Sequence, residues 1–186
     1  MIWQHYCIFQ CDRGHVKLGK SIQFKGHCRL KFYPGCNVSI GDDFICNSGV
    51  ENSIDTALCS KIVVQKDASL IIGSHSGISN TTIHCHSKIS IGNFVNIGAG
   101  TMIFDTNFHS TNWKIRENRV QDVKESINSP ITIEDHVFIG AGCFICKGVT
   151  IGEKSIIAAG SVICKDVPKG EIWGGNPARY IKKIDS

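Results

Sequence analysis

Isoleucine recurs at every sixth position in the C-terminal part of the chain. It stands at positions 133, 139, 145, 151, 157 and 163, and the residue two before each is small or β-branched. Helices repeat apolar positions at about 3.6 residues and strands at about 2. A period of six is instead typical of a hexapeptide β-helix, in which each hexad forms one short strand and a bend. Three hexads then close one circuit, and circuits stack at about 4.8 Å. The pattern predicts that each isoleucine lies over the one three hexads away.

The same period continues upstream with less regularity. Ile91, Ile97 and Ile103 share the phase of the later series, and a slip of one residue separates them from Ile72 and Ile78. Ile40 has a phase of its own, and the earliest apolar residues spaced by six are Leu18, Phe24, Leu30 and Cys36. We therefore expect residues 15–80 to form irregular circuits with small loops. The strands of a β-sandwich vary in length and spacing, which argues against that fold.

Two segments depart from the repeat. Residues 104–130 are polar and charged, and the hexads resume in phase after them, so they are predicted to form a loop extruded from a corner, where solenoids often bind ligands. In the closing WGGNPARYIKKI, Asn176 and Pro177 suit the start of a helix. We expect a short helix over 177–184 that packs Tyr180, Ile181 and Ile184 on the prism. The predicted all-β chain has a β-helix domain at 1–176 and a C-terminal helix and tail at 177–186.

Composition and charge narrow the class of protein. Charged residues make up 19% of the chain and there are 19 glycines, which is typical of a compact, turn-rich β protein. The net charge of +4 fits an anionic small ligand and is too weak to indicate nucleic acid. The N-terminal residues look strand-like, without a signal peptide or an apolar run long enough to span a membrane. We expect a cytoplasmic protein whose ten cysteines are reduced core residues. The nearest spacings are Cys7 with Cys11 and Cys143 with Cys146, and the latter is a single CxxC without the second pair that a zinc site of this type needs.

The hexads, the loop that opens with DTNFH and the closing GGNPAR segment together resemble the left-handed β-helix acetyltransferases. That family includes the galactoside and maltose O-acetyltransferases and those of O-antigen and capsule synthesis. The resemblance covers about residues 80–184. It implies left-handed winding, acetyl transfer from acetyl-CoA to a sugar hydroxyl in a surface polysaccharide or its precursor, and no metal. It also implies a homotrimer with active sites between subunits.

The resemblance implies His109, at the loop mouth, as the general base, because a neutral imidazole can take the proton of a poorly nucleophilic hydroxyl. Its other ring nitrogen then needs an acceptor, either Asp105 or a backbone carbonyl. Asp105 as a turn residue is the alternative. Asn80 corresponds to an asparagine that binds the acceptor in galactoside-type enzymes, and a plain turn asparagine is the other interpretation.

Acetyl-CoA is expected along the C-terminal circuits. By resemblance, Ala141 and Ala159 contact its pantetheine arm, and Phe138 replaces a tryptophan common in the galactoside enzymes. The expected phosphate-facing cations, each of which could also be a solvated charge, are Lys165, Arg179 and Lys182. Trp113, Arg116 and Arg119 on the loop are expected to contact the neighbouring subunit or the acceptor, or else to be simply exposed. His136 either lines the cleft between subunits or is exposed.

Three other functions are alternatives to sugar acetylation. A γ-class carbonic anhydrase needs three histidines on zinc, and His84 and His86 lie two residues apart, where alternate strand residues share a face. A non-catalytic β-helical scaffold would not explain the loop histidine. A serine acetyltransferase normally carries a helical N-terminal domain, which the strand-like N-terminus argues against.

Overall fold

The computed structural model describes residues 2–52 and 59–184, and in these ranges the chain winds into a left-handed parallel β-helix with three walls. Sheet A contains β1 (Lys17–Leu18), β4 (Asn37–Ile40), β7 (Ser69–Ile72), β10 (Lys88–Ile91), β13 (Ile131–Ile133) and β16 (Thr150–Ile151). Sheet B contains β2 (Gln23–Lys25), β5 (Ile45–Asn47), β8 (Gly77–Ser79), β11 (Asn96–Ile97), β14 (Phe138–Ile139), β17 (Ile156–Ile157), β19 (Glu171–Gly175) and β20 (Ala178–Lys183). Sheet C contains β3 (Arg29–Phe32), β6 (Lys61–Val64), β9 (Thr82–Cys85), β12 (Met102–Phe104), β15 (Phe144–Ile145) and β18 (Val162–Ile163).

The predicted isoleucine columns are confirmed, one inside each wall. The aligned residues are Ile91, Ile133 and Ile151 in sheet A, Ile97, Ile139 and Ile157 in sheet B, and Ile103, Ile145 and Ile163 in sheet C. All nine side chains are buried, and so are the residues two before the later six. Because the same atoms stack in every circuit, one continuous apolar core fills the prism.

The N-terminal circuits keep the register of the columns although their lengths differ. Ile40 follows Leu18 by 22 residues, and Ile72 follows Ile40 by 32. Ile91 follows Ile72 by 19 residues, one more than three hexads, which accounts for the predicted slip in phase. Cys36 departs from the expectation because β3 continues to Phe32 and a turn then precedes β4.

A helix, α1 (Ile2–Arg13), begins the described chain, so the strand-like interpretation of the N-terminus is wrong. Cys7 and Cys11, one helical turn apart, are fully buried against the first circuit. The Gln4 side chain donates to the Ile22 carbonyl at 2.8 Å and accepts the Phe24 N–H at 2.5 Å. An open prism end exposes apolar side chains and needs a cap, and α1 supplies it. In the described ranges no helix is long and apolar enough to cross a membrane.

The predicted C-terminal helix is also wrong, because residues 178–183 form β20, antiparallel to β19. β19 extends sheet B beyond β17, and its free edge would leave backbone groups unpaired. The chain reverses at Gly175, whose φ of 100° suits glycine, and β20 pairs that edge. Tyr180 and Ile181 are about half exposed instead of packed on the prism. Residues 185–186 of the predicted tail lie outside the described residues.

Cysteines contribute to the core as expected. Six of them, Cys7, Cys11, Cys28, Cys46, Cys85 and Cys143, are fully buried, whereas Cys164 is exposed. Burial raises the pKa of the Cys11 and Cys85 thiols to about 12. Thiols with such a pKa are protonated and poorly nucleophilic at neutral pH, so these two act as small apolar side chains.

Candidate active site

The loop leaves the prism after β12, between sheets C and A, and carries two short helices. These are α2 (Trp113–Arg116) and α3 (Arg119–Lys124). Asn112 caps the first by accepting the Lys114 N–H, and Asn118 caps the second by accepting the N–H groups of Val120 and Gln121. Such caps satisfy backbone donors that a short helix leaves open. They fix α3 so that Asp122 points back to the start of the loop.

His109 pairs with Asp122 at the mouth of the loop. Its Nδ1 lies 2.6 Å from Asp122 Oδ2, and Asp122 Oδ1 accepts the Ser110 N–H at 2.7 Å. Asp122 is buried, while about two thirds of the His109 side chain is exposed. The hydrogen bond from His109, followed by that from Ser110, lowers the pKa of the Asp122 carboxyl. An ionised carboxylate only accepts hydrogen bonds, so Nδ1 carries the proton and Nε2 is left as the basic nitrogen.

Asp105 is not the partner of His109, which corrects the prediction from sequence. It is fully buried, and its carboxylate accepts the backbone N–H groups of His86, Ser87 and Lys88 at 2.7, 2.7 and 2.8 Å. Its own carbonyl accepts the Ser129 N–H, which joins the two ends of the loop. Asp105 therefore holds the corner beneath the loop and presents no oxygen to a substrate.

Asn80 has the backbone geometry of a turn residue, which agrees with the second interpretation from sequence. Its φ is 40°, its side chain is buried, and its Oδ1 accepts the Gly49 N–H at 2.7 Å. A residue buried in this way cannot contact an acceptor without rearrangement. The expected substrate contact of Asn80 is thus not what the structure shows.

Ala141 and Ala159 occupy successive turns of the corner between sheets B and C. A Cβ on Gly140 would lie 2.6 Å from the Ala159 nitrogen, so this corner requires close backbone approach and small residues. Ala159 is exposed and Ala141 is half-buried. The corner lies at the N-terminal ends of the strands of sheet C, and the loop leaves from their C-terminal ends, so the two lie on opposite sides of this wall. The outer face of the wall carries the partly exposed Phe144.

The three predicted phosphate-facing cations lie near the C-terminal end of the prism. Lys165 follows β18, and Arg179 and Lys182 lie on β20. All are exposed, and none forms an ion pair within the described part of the chain. His109 lies on the loop that follows β12, so the cations and the candidate base are on separate elements.

The other loop candidates divide between structural and exposed positions. Arg116 Nη1 donates to the Ser110 carbonyl at 2.8 Å, which braces the segment that holds His109. Trp113 and Arg119 are exposed.

His136 is exposed at a corner between sheets A and B. Its ring stacks on Phe94 at 4.9 Å, and Phe94 stacks on His75 at 4.8 Å. Beside this stack a cavity of about 290 Å³ opens on sheet B, lined by Phe138 among other residues. Phe138 is about half exposed there.

His84 and His86 pack under the loop with their ring centroids 4.9 Å apart, and both rings contact Phe108, the neighbour of His109. Burial, followed by the nearby His86, lowers the pKa of His84 to about 4. His84 Nδ1 and His86 Nε2 are buried, and no atom of the described residues forms a hydrogen bond with either. Within the described residues no group of three metal-ligating side chains occurs.

Sequence reasoning missed Asp122. In the sequence Asp122 is one of several acidic residues in a polar loop, and nothing there distinguishes it from the others. Only the folded loop shows that it pairs with His109.

Comparison with known proteins agrees with this architecture. A family model described as "Hexapeptide repeat of succinyl-transferase" matches residues 130–165. Gamma carbonic anhydrase 1, mitochondrial, of Arabidopsis thaliana is 31% identical over 140 residues, which is 66% of this chain and 50% of that protein. The chain spans about half the length of the curated relatives it matches.

Two solved structures are similar over most of the chain. A hexapeptide-repeat acetyltransferase of Vibrio cholerae is 28% identical with a TM-score of 0.64, covering 99% of this chain and 82% of that one. A second structure of that protein is a complex with acetyl-CoA. AntD, an N-acyltransferase of Bacillus cereus, is 20% identical with a TM-score of 0.68, covering 90% and 82%. At that identity AntD supports the fold alone.

Proposed function

We propose that this chain, which belongs to the hexapeptide-repeat acetyltransferase family of left-handed β-helix proteins, transfers an acetyl group from acetyl-CoA to a hydroxyl of a sugar. The observation that carries the proposal is the pair formed by His109 and Asp122. A buried carboxylate fixes the tautomer of an exposed imidazole, and this arrangement suits a general base. The similarity to the V. cholerae acetyltransferase supports the donor.

In the proposed reaction the acceptor hydroxyl oxygen attacks the thioester carbonyl carbon while Nε2 of His109 takes the hydroxyl proton. Asp122 stabilises the imidazolium that forms, since the two groups are in direct contact. The tetrahedral intermediate then collapses, the C–S bond breaks, and the proton on Nε2 passes to the departing CoA sulfur. Acetyl ester and free CoA are the products, and His109 returns to its neutral form.

The pantetheine arm is proposed to follow the corner of Ala141 and Ala159, where small side chains let an extended ligand reach the backbone. Lys165, Arg179 and Lys182 would then attract the nucleotide phosphates. His109 and this corner lie at opposite edges of sheet C, which supports a site completed between subunits of a homotrimer. The proposed acceptor is a sugar of a surface polysaccharide or its precursor.

The test is acetyl-CoA turnover against a panel of free, nucleotide-linked and lipid-linked sugars. Acetylated product should be detected by mass spectrometry, because the chain's ten cysteines would react with a thiol reagent. His109→Ala should lower kcat by about 10²–10⁴. Asp122→Asn should lower kcat by about 10² or more with little change in KM for acetyl-CoA, since it disturbs the tautomer and not the binding.

His5→Ala, which removes an exposed histidine on α1, is the matched control and should leave the rate unchanged. Full turnover of an accepted sugar by His109→Ala would show that another residue is the base. Absence of turnover with the whole panel, together with no thermal stabilisation by CoA, would overturn the transferase proposal.

A carbonic anhydrase activity is the second candidate, and the Arabidopsis relative is the observation that favours it. His84 and His86 lie close together, but a tetrahedral zinc site with an open position needs three protein ligands. Within the described residues a third ligand is not beside them, so a second copy would have to supply it. Metal analysis of the purified protein and CO₂ hydration, compared with His84→Gln, separate the two activities.

A further inference from the structure

The capping helix α1 is apolar on two opposite faces. Cys7, Ile8 and Cys11 face the prism and pack on its core. Ile2, Tyr6 and Phe9 recur at i, i+4 and i+7 on another face and are exposed, Ile2 by 81% and Phe9 by 55%. An exposed apolar stripe is normally covered by a partner or a membrane, so the outer face of α1, which we call the outer stripe, is suited to contact an apolar medium.

Aromatic side chains extend this stripe onto the first circuit. The Trp3 ring lies 4.7 Å from the His27 ring, and Tyr6 lies 5.9 Å from it. The guanidinium of Arg13 lies 5.8 Å over the Phe9 ring. Tyrosine and tryptophan are the side chains that favour the boundary between headgroups and acyl chains.

The first circuit surrounds α1 with exposed cations on all three walls. Lys17 lies on sheet A, Lys25 on sheet B, and Arg29 and Lys31 on sheet C, with Lys20 at a corner. We call these five residues the basic collar. None of them forms an ion pair within the described part of the chain.

The charge of this end differs from that of the remaining molecule. Residues 1–36 contain six Lys and Arg but a single acidic residue, Asp12, whereas the other 150 residues contain 14 Lys and Arg and 15 Asp and Glu. The positive net charge of the chain therefore arises at the capped end. Two such ends would repel each other, which argues against a second copy as the occupant.

We propose that α1 and the basic collar bind the protein to the surface of an anionic phospholipid bilayer. The outer stripe of α1 enters the headgroup region, while the collar contacts lipid phosphates. An exposed apolar stripe with a basic surround is the pattern of helices that lie in a membrane interface. Each Lys or Arg near such a surface contributes about 1 kcal/mol of attraction. This surface does not depend on the transferase proposal.

The experiment is vesicle flotation of the full chain, comparing phosphatidylcholine vesicles with a three-to-one mixture of phosphatidylcholine and phosphatidylglycerol. We expect binding to the anionic vesicles at about 50 mM salt and release at about 500 mM. Lys17→Gln with Lys25→Gln should lower the partition coefficient by about 30-fold. Tyr6→Ser with Phe9→Ser should lower it by about tenfold or more.

Matched controls come from later circuits of the prism. Lys66→Gln with Lys88→Gln removes two exposed cations outside the collar, and Ile71→Ser removes an exposed apolar residue on β7; neither should change binding. Circular dichroism and Tm will confirm that each variant folds, which is expected because Tyr6 and Phe9 lie on the outer side of α1.

Three outcomes would overturn the proposal. The first is no binding to anionic vesicles, or equal binding to neutral ones. The second is unchanged binding after Tyr6→Ser with Phe9→Ser. The third is association of two copies through α1, detected by sedimentation velocity and abolished by that same variant, without any binding to vesicles.

Discussion

At the scale of single residues, Asp105 shows how a buried carboxylate can serve the fold near a reactive group. It accepts three consecutive backbone N–H groups with both oxygens. Asp105→Asn replaces one acceptor oxygen by an NH₂ group that faces donors. We expect a loss of about 3 kcal/mol in the free energy of unfolding, measured by urea denaturation. Asp12→Asn, at an exposed position of α1, is the control, and a loss below about 0.5 kcal/mol for Asp105→Asn would contradict this role.

His84 makes stability depend on pH through its burial. Its pKa in the folded protein is about 4, against 6.5 for an ordinary histidine. Between these values the unfolded chain binds a proton that the folded chain excludes, so stability falls as the pH drops from about 6.5 to about 4. The expected contribution is on the order of 3 kcal/mol. Urea unfolding of the parent and of His84→Gln across this range measures it, and identical pH slopes would refute the assignment.

His109 and its carboxylate partner show what sequence reasoning could reach at this scale. His109 was identifiable because it opens the loop that interrupts the hexads. The sequence leaves Asp105 or a backbone carbonyl as its partner, whereas the fold brings Asp122 to it from α3, 13 residues later. The choice depends on how Asn112 and Asn118 cap the two short helices. That geometry is set by the folded loop and has no periodic signal.

At the scale of elements, the strands were predictable and the two ends were not. Each hexad strand is determined locally, because its inward residue meets an identical environment in the next circuit. The sequence predicts irregular lengths for the early circuits but does not predict their exact register.

The two ends form for a different reason. α1 closes the N-terminal end of the prism, and β20 pairs the last free edge, that of β19. In α1 the helical spacing of Cys7 and Cys11 is present in the sequence, but aromatic residues on the outer side obscure it. In the GGNPAR segment, Asn176 and Pro177 locally favour a helix start. The chain forms β20 instead, because pairing with the free edge of β19 satisfies its backbone hydrogen bonds.

At the scale of the whole molecule, the separation of the loop from the alanine corner predicts that subunits share active sites. If His109 of one subunit serves the corner of the next in a ring, His109→Ala and Ala159→Trp are each inactive alone but complement one another when mixed. An interface is active where a subunit with an intact histidine meets one with an intact corner. Random mixing in equal amounts therefore restores about a quarter of the parent rate.

The measurement is turnover after the two variants are unfolded together and refolded, with light scattering to establish the number of chains. Each variant refolded alone is the control, since recovery must require both. If each site lies within one subunit, no activity is recovered at any mixing ratio. A monomeric mass would also predict no recovery, because two chains would then never share a site. Recovery near a quarter would place the base and the thioester on different chains, because no single chain in the mixture carries both intact groups.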